Sequence, residues 1–117
     1  MTYIKINDTL YPAEISGRLR DPDWDRRDSK AITLEMDYAT ALALFVDDLD
    51  WSIVHQGAAF VDENGETVTP EAEIYDNSEY SVAGPITDNR DGTVTVKMGK
   101  PTDAEMLAEL MEVLNND

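Results

Sequence analysis

Residues 80–100 read YSVAGPITDNRDGTVTVKMGK, and the pattern in this stretch decides what kind of fold the chain can make. From Thr93 to Met98 apolar and polar residues alternate strictly. Val94, Val96 and Met98 fall on one side, and Thr93, Thr95 and Lys97 on the other. A period of two belongs to a β-strand with one covered and one solvated face. Upstream, Tyr80, Val82 and Ile86 keep the same phase across Gly84-Pro85. Asp88 to Gly92 between them is turn chemistry, because Asp, Asn and Gly bond their own backbone or tolerate positive φ. The stretch predicts two antiparallel strands with one apolar face.

Working outward, Ala31 to Met36 alternates again, with Ile32, Leu34 and Met36 on one face. Asp37 follows and is placed to cap a helix by accepting from a free first-turn amide. Tyr38, Ala41, Leu42 and Phe45 then stand at helical spacing on one face. Asp47 and Asp48 oppose the helix dipole at its far end and help to stop it. Trp51 to Gln56 is the next strand. These two strands are expected to share a sheet with Tyr80–Thr87 and Thr93–Met98. At the start of the chain, Tyr3–Ile6 alternates and Asn7-Asp8 suits a tight hairpin turn. The return strand runs from Thr9 towards Ile15, with Pro12 marking an edge or an exit from the sheet, since proline cannot donate to the ladder. Ser16 to Lys30 is dense in charge, contains Gly17 and Pro22, and is expected to be an exposed loop carrying Trp24. Phe60-Val61 and Thr67-Val68 flank Asn64-Gly65, a hairpin signal, and Pro70 to Ser78 reads as irregular. Thr102 and Glu105 form a capping box for a last helix. That helix places Leu107, Leu110, Met111 and Leu114 on one face and Glu105, Glu109 and Glu112 elsewhere. The class is α+β: a mainly antiparallel β-sheet or sandwich with one short internal helix and a C-terminal helix, in a single domain over residues 1–117.

Composition narrows the function. The chain has 117 residues and 42% apolar residues, enough for a hydrophobic core. It has no cysteine and a single histidine, His55, so disulfides, thiolate zinc sites and multi-histidine sites within one chain are excluded. Neither a run long enough to span a membrane nor the apolar stretch of a signal peptide is present, so a cytoplasmic or virion-associated location is expected. The formal net charge is −16. Such a surface repels phosphate backbones and anionic lipid, so neither nucleic acid nor a membrane is an expected partner. The charge is unevenly spread. Glu35 to Asp88 holds 13 acids and no Lys or Arg, and Pro101 to Asp117 holds five acids and no base. Five of the nine bases (Arg18, Arg20, Arg26, Arg27 and Lys30) lie between positions 18 and 30.

No constellation with catalytic chemistry emerges. Asp21, Asp23, Asp25 and Asp28 resemble half of a calcium loop. Yet Arg26 stands where the sharp turn needs glycine, and Ile32 where a bidentate carboxylate is needed. Gly99-Lys100 lacks the earlier glycine and the following Ser or Thr of a phosphate-binding loop. His55 could serve as a general base with Ser52 or a nearby Asp, but it lies on a strand opposite in phase to Val54, where a structural histidine is the commoner case. With so many carboxylates, close acid pairs carry no information. No catalytic, cofactor-binding or metal-binding residues are therefore assigned. Trp24, surrounded by Arg18, Arg20, Arg26 and Arg27, is the candidate interface, since Trp and Arg dominate contact hot spots. The other reading of Trp24 is a plug folded back over the sheet.

The charged stretch SGRLRDPDWDRRDSKAITLEM, the strand WSIVHQ and the segment YSVAGPITDNRDGTVTVKMGK, in this order behind an N-terminal hairpin, resemble small prophage-encoded tail and neck-region proteins of gut Firmicutes. The resemblance implies a non-enzymatic virion or tail-assembly protein that contacts other virion proteins or copies of itself, with no cofactor. The alternative drawn from the charge is an acidic DNA-mimic inhibitor of the anti-restriction or anti-CRISPR type. Its five clustered bases would have no use in mimicking phosphate.

Overall fold

A computed structural model describes residues 1–115; Asn116 and Asp117, the end of the acidic terminal stretch, lie outside the described residues. The chain opens with β1 (Thr2–Ile6) and β2 (Thr9–Pro12), a hairpin whose turn residues Asn7 and Asp8 both take positive φ, 50° and 65°. Such a turn matches the right-handed twist of the flanking strands. Pro12 ends β2 at the sheet edge, as expected. The chain then crosses to a second sheet through Ala13, whose amide donates to the Thr2 carbonyl at 3.0 Å.

The next two strands correct the expected loop. Glu14–Asp21 is β3 and Arg27–Glu35 is β4, an antiparallel hairpin with its turn at residues 22–26. β3 is an edge strand with most of its side chains in water, so it has no apolar alternation to read. Helix α1 (Tyr38–Leu44) follows, capped by Asp37, which accepts from the Thr40 amide at 2.6 Å. Only part of its expected apolar face is covered: Ala41 and the capping residue Phe45 are buried, whereas Tyr38 and Leu42 are exposed. The helix carries the chain back to the first sheet and into β5 (Trp51–His55). β6 (Phe60–Val61) and β7 (Thr67–Val68) form the hairpin turned by Asn64-Gly65, with Gly65 at φ 76°. β8 (Glu73–Asp76) is a strand within the segment read as irregular; its four residues are exposed and polar-rich, so it too lacks a period. β9 (Val82–Asp88), β10 (Thr93–Gly99) and α2 (Asp103–Asn115) complete the chain.

The class is α+β, built on two four-stranded antiparallel sheets ordered β2-β1-β5-β8 and β3-β4-β10-β9. Trp51–His55 is thus not in the sheet of Ala31–Met36. It pairs with β1, Ile4 opposite Ile53 and Ile6 opposite Trp51. Alternation reveals that a strand has a covered face, not which of two facing sheets it joins. The inner faces meet in one core of Ile4, Ile6, Ile32, Leu34, Trp51, Ile53, Val94, Val96 and Met98, closed by Ala41 and Phe45 from α1 and by Tyr80. The Trp51 indole N–H donates to the Tyr80 carbonyl at 3.2 Å, so this buried ring leaves no polar atom unpaired.

Helix α2 is outside this core. Among the described residues its apolar side chains pack on no strand or helix, its link to the sheets being Glu105 at its base, and no helix is long and apolar enough to cross a membrane. Its cap is the expected box: the Thr102 amide donates to Glu105 at 2.8 Å, and the Glu105 amide to the Thr102 hydroxyl at 3.2 Å.

The core and α2 should therefore respond differently to truncation. Ile32→Ala is expected to lower stability by about 2–5 kcal/mol, the cost of a cavity at a closed site. Leu110→Ala, on the outlying helix, should change it by less than about 0.5 kcal/mol. Urea melts of the two variants check the pair.

Candidate protein-contact site

The outer face of the second sheet carries polar side chains that a water-facing strand does not usually bury. Asp21, at the end of β3, is fully buried. Its carboxylate accepts from Lys97 Nζ on β10 at 2.9 Å, from the Ser29 hydroxyl on β4 at 3.0 Å and from the Asp23 amide at 3.0 Å. Its carbonyl accepts from the amides of Trp24 and Arg26, at 3.1 and 2.8 Å. One residue thus ties the turn to three strands. The hydrogen bond from Lys97 leads the interactions that hold Asp21 down to about 2.

The turn folds Trp24 back onto the sheet over two glycines. A Cβ at Gly84 would stand 2.5 Å from Trp24 Cη2, and one at Gly99 would stand 2.7 Å from Trp24 Cζ3. The indole fills the space left by two missing side chains, which favours the plug reading of Trp24. Glycines inside otherwise strong strands signal such a close approach; the partner could not be read from them.

Arg27 is stacked against this ring, its guanidinium carbon 4.6 Å from the centroid. The same guanidinium forks onto Glu105 of α2, Nη1 to Oε1 at 2.8 Å and Nη2 to Oε2 at 3.0 Å, and Nη1 reaches the Lys100 carbonyl at 3.3 Å. Its Nε is buried without a hydrogen-bond partner. The bidentate pair, with the Thr102 amide, holds Glu105 down at about 2. Trp24, Arg27 and Glu105 therefore form a clasp between the β3–β4 turn and the base of α2.

The five residues expected to form one interface are placed in three different ways. Trp24 and Arg27 are spent on the clasp. Arg18 is half-exposed and lies 3.3 Å from Asp23 and 3.6 Å from Asp21. Arg20 and Arg26 are exposed, and among the described residues neither side chain makes an ion pair. Both sit in the left-handed region, at φ 50° and 56°. The Arg20 amide donates to Asp28 at 3.0 Å, which helps to hold it there.

Two further surfaces were hidden from sequence reasoning. On α2, Met106, Leu107, Leu110, Met111 and Leu114 are 49–66% exposed, an apolar stripe that nothing among the described residues covers. Its helical spacing was readable; its lack of cover was not. At the end of the sandwich opposite the β3–β4 turn, an open groove of about 1080 Å³ includes Tyr11, Ala13, Ile15 and Leu34 among its lining, with Glu14 and Glu35 beside them. His55 borders it, its Nδ1 3.0 Å from the Thr2 hydroxyl; among the described residues no hydrogen bond joins it to a carboxylate. Neither there nor elsewhere among the described residues do three or more His, Asp or Glu side chains converge closely enough to hold a metal ion. Asp21 is fully engaged, and Asp28 holds the Arg20 amide.

Comparison of the chain with known protein families, with curated proteins and with solved structures finds no match.

Asp21 and Glu105 both have folded-state values below the ordinary 3.8 and 4.5 of their carboxyls. The stability they contribute is complete above that ordinary range and is lost as pH falls through about 2. The melting temperature should drop as pH is lowered from about 4.5 towards 2, and less steeply in Glu105→Gln than in the wild type. An equal slope in the two proteins would show that the clasp does not stabilise the fold.

Proposed function

We propose that the protein is a non-enzymatic structural or assembly subunit of a phage or prophage particle, acting through contacts with other virion or tail proteins and not with nucleic acid. The observation that carries the contact role is the uncovered stripe of α2. Five large apolar side chains on one helix face water, and burying a leucine fully is worth about 1.5–3 kcal/mol. A stripe of this kind on a helix bound to the body only at its base fits docking into an apolar groove of a partner. Asp103, Glu109 and Glu112 accompany the stripe without any base on the helix, so the rim of that groove would be basic. The phage setting is supported by the three quoted stretches and their order. The non-enzymatic reading is supported by the way the buried charged groups are used: Asp21 and Arg27 hold the fold together, Arg27 through the exposed Glu105. On this reading the chain is cytoplasmic until it joins the particle.

A photoreactive residue at position 110, introduced in the host that carries the gene, tests the proposal. Adducts with virion or tail proteins are expected. Adducts with a host nuclease, as a DNA mimic would give, or no adduct at all, would overturn it.

A further inference from the structure

We propose that copies of this chain bind one another head to tail, with the tip of the β3–β4 hairpin of one copy seated in the groove beside Glu14 and Glu35 of the next. The inference rests on the reading of the chain as an assembly protein and names one of its partners.

The tip has the features of an insert. Leu19 is 78% exposed, the most exposed of the large apolar side chains in the described residues, and stands between Arg18 and Arg20. The register of β3 against β4 shifts between Arg18 and Asp21, so a bulge aims this part of the strand away from the ladder. Arg20, Asp25 and Arg26 all take positive φ, at 50°, 54° and 56°, where glycine would sit without strain. The Asp21 carbonyl and the Asp28 carboxylate fix Arg26 and Arg20 in this shape through their amides. Strain retained in an ordered turn is a pointer to function, and here it presents two cations that have no ion-pair partner among the described residues.

The groove has the matching chemistry. Tyr11, Ala13 and Ile15, each half-buried, give it apolar walls for one aliphatic side chain. Glu14 lies opposite Thr33 in the ladder, and Glu35 is two residues further along β4 on the same face. Both carboxylates are exposed, and among the described residues neither has a cation within an ion-pair distance. Two neighbouring like charges on one sheet face repel, and an inserted arginine relieves both.

Geometry makes the contact intermolecular. Glu14 and Asp21 are at opposite ends of β3, roughly 23 Å apart for an extended strand. A tip therefore cannot reach its own groove. Because the two surfaces differ, each copy keeps one of them free, and the contact propagates into a ring or a filament according to its rotation. The charge of −16 opposes self-association at low salt. At about 0.15 M salt the screening length is about 8 Å, so repulsion between bodies fades while pairs in contact persist.

Sedimentation velocity at about 0.15 M salt over rising concentration tests this. The wild type should form species beyond the dimer. Arg20→Glu/Arg26→Glu should weaken association at least about tenfold, and so should Glu14→Lys/Glu35→Lys. Mixing these two variants should restore it, because the intact tip of one meets the intact groove of the other. Leu19→Ser, which alters no charge, should also weaken it, and melting temperatures establish that each variant is folded. A wild type that remains monomeric, a tip variant that associates like the wild type, or a mixture that stays monomeric would overturn the inference. Association abolished only by Leu107→Ser/Leu110→Ser would overturn it as well, while leaving the assembly reading intact. Failure of that wider reading is seen in the adducts at position 110, which this experiment does not use.

Discussion

A buried carboxylate governs one end of the molecule. Asp21 is out of water, and its charge is compensated by the ammonium of Lys97, which reaches it from two strands away. Its other bonds fold the β3–β4 turn: the side chain takes the Asp23 amide, and the carbonyl takes those of Trp24 and Arg26. A buried carboxylate without such partners would be strongly unfavourable, so the turn is either made in this form or not made at all. The consequences run in two directions. Towards the sheet, Trp24 is laid on Gly84 and Gly99, and Arg27 is held between the indole and Glu105. Towards water, Arg20 and Arg26 are fixed around Leu19 as cations with no ion-pair partner among the described residues. The base of α2 and the hairpin tip thus depend on one electrostatic arrangement.

What was legible in the sequence was local. Asn7-Asp8 and Asn64-Gly65 announce their turns, Asp37 its helix, and Thr102 with Glu105 a capping box, because each bonds within a few residues of itself. Thr93–Met98 announces a strand because one of its faces is covered. β3 and β8 were not legible because most of their side chains are in water on both faces, and a strand with neither face covered is held by backbone bonds that leave no side-chain period. The fork from Arg27 to Glu105 spans 78 positions, and the bond from Lys97 to Asp21 spans 76. Nothing in the spacing of those residues points to either. The cluster of arginines was visible from the start. That Arg27 serves the fold while Arg20 and Arg26 face outward follows from which strand faces are open, a property of the tertiary structure alone.

The acidity of the chain acquires a use in this setting. A small protein with an uncovered apolar helix and an exposed leucine tip is prone to indiscriminate association. A charge of −16 suppresses that by repulsion and leaves open only contacts that bring a cation. The stripe of α2, flanked by acids alone, selects a basic-rimmed groove. The hairpin tip is the place where this chain supplies cations of its own. Specificity then comes from where the few positive charges are, more than from the apolar surfaces they accompany.

The dependence of the turn on Asp21 is open to direct measurement by following the side-chain carboxyl of Asp21 and the indole N–H of Trp24 by NMR as pH is lowered. The account predicts that Asp21 stays ionised until about pH 2 and that the Trp24 resonance shifts with the same midpoint as the turn loosens. A carboxyl that titrates in the ordinary range near 3.8 while the Trp24 signal stays in place would contradict it.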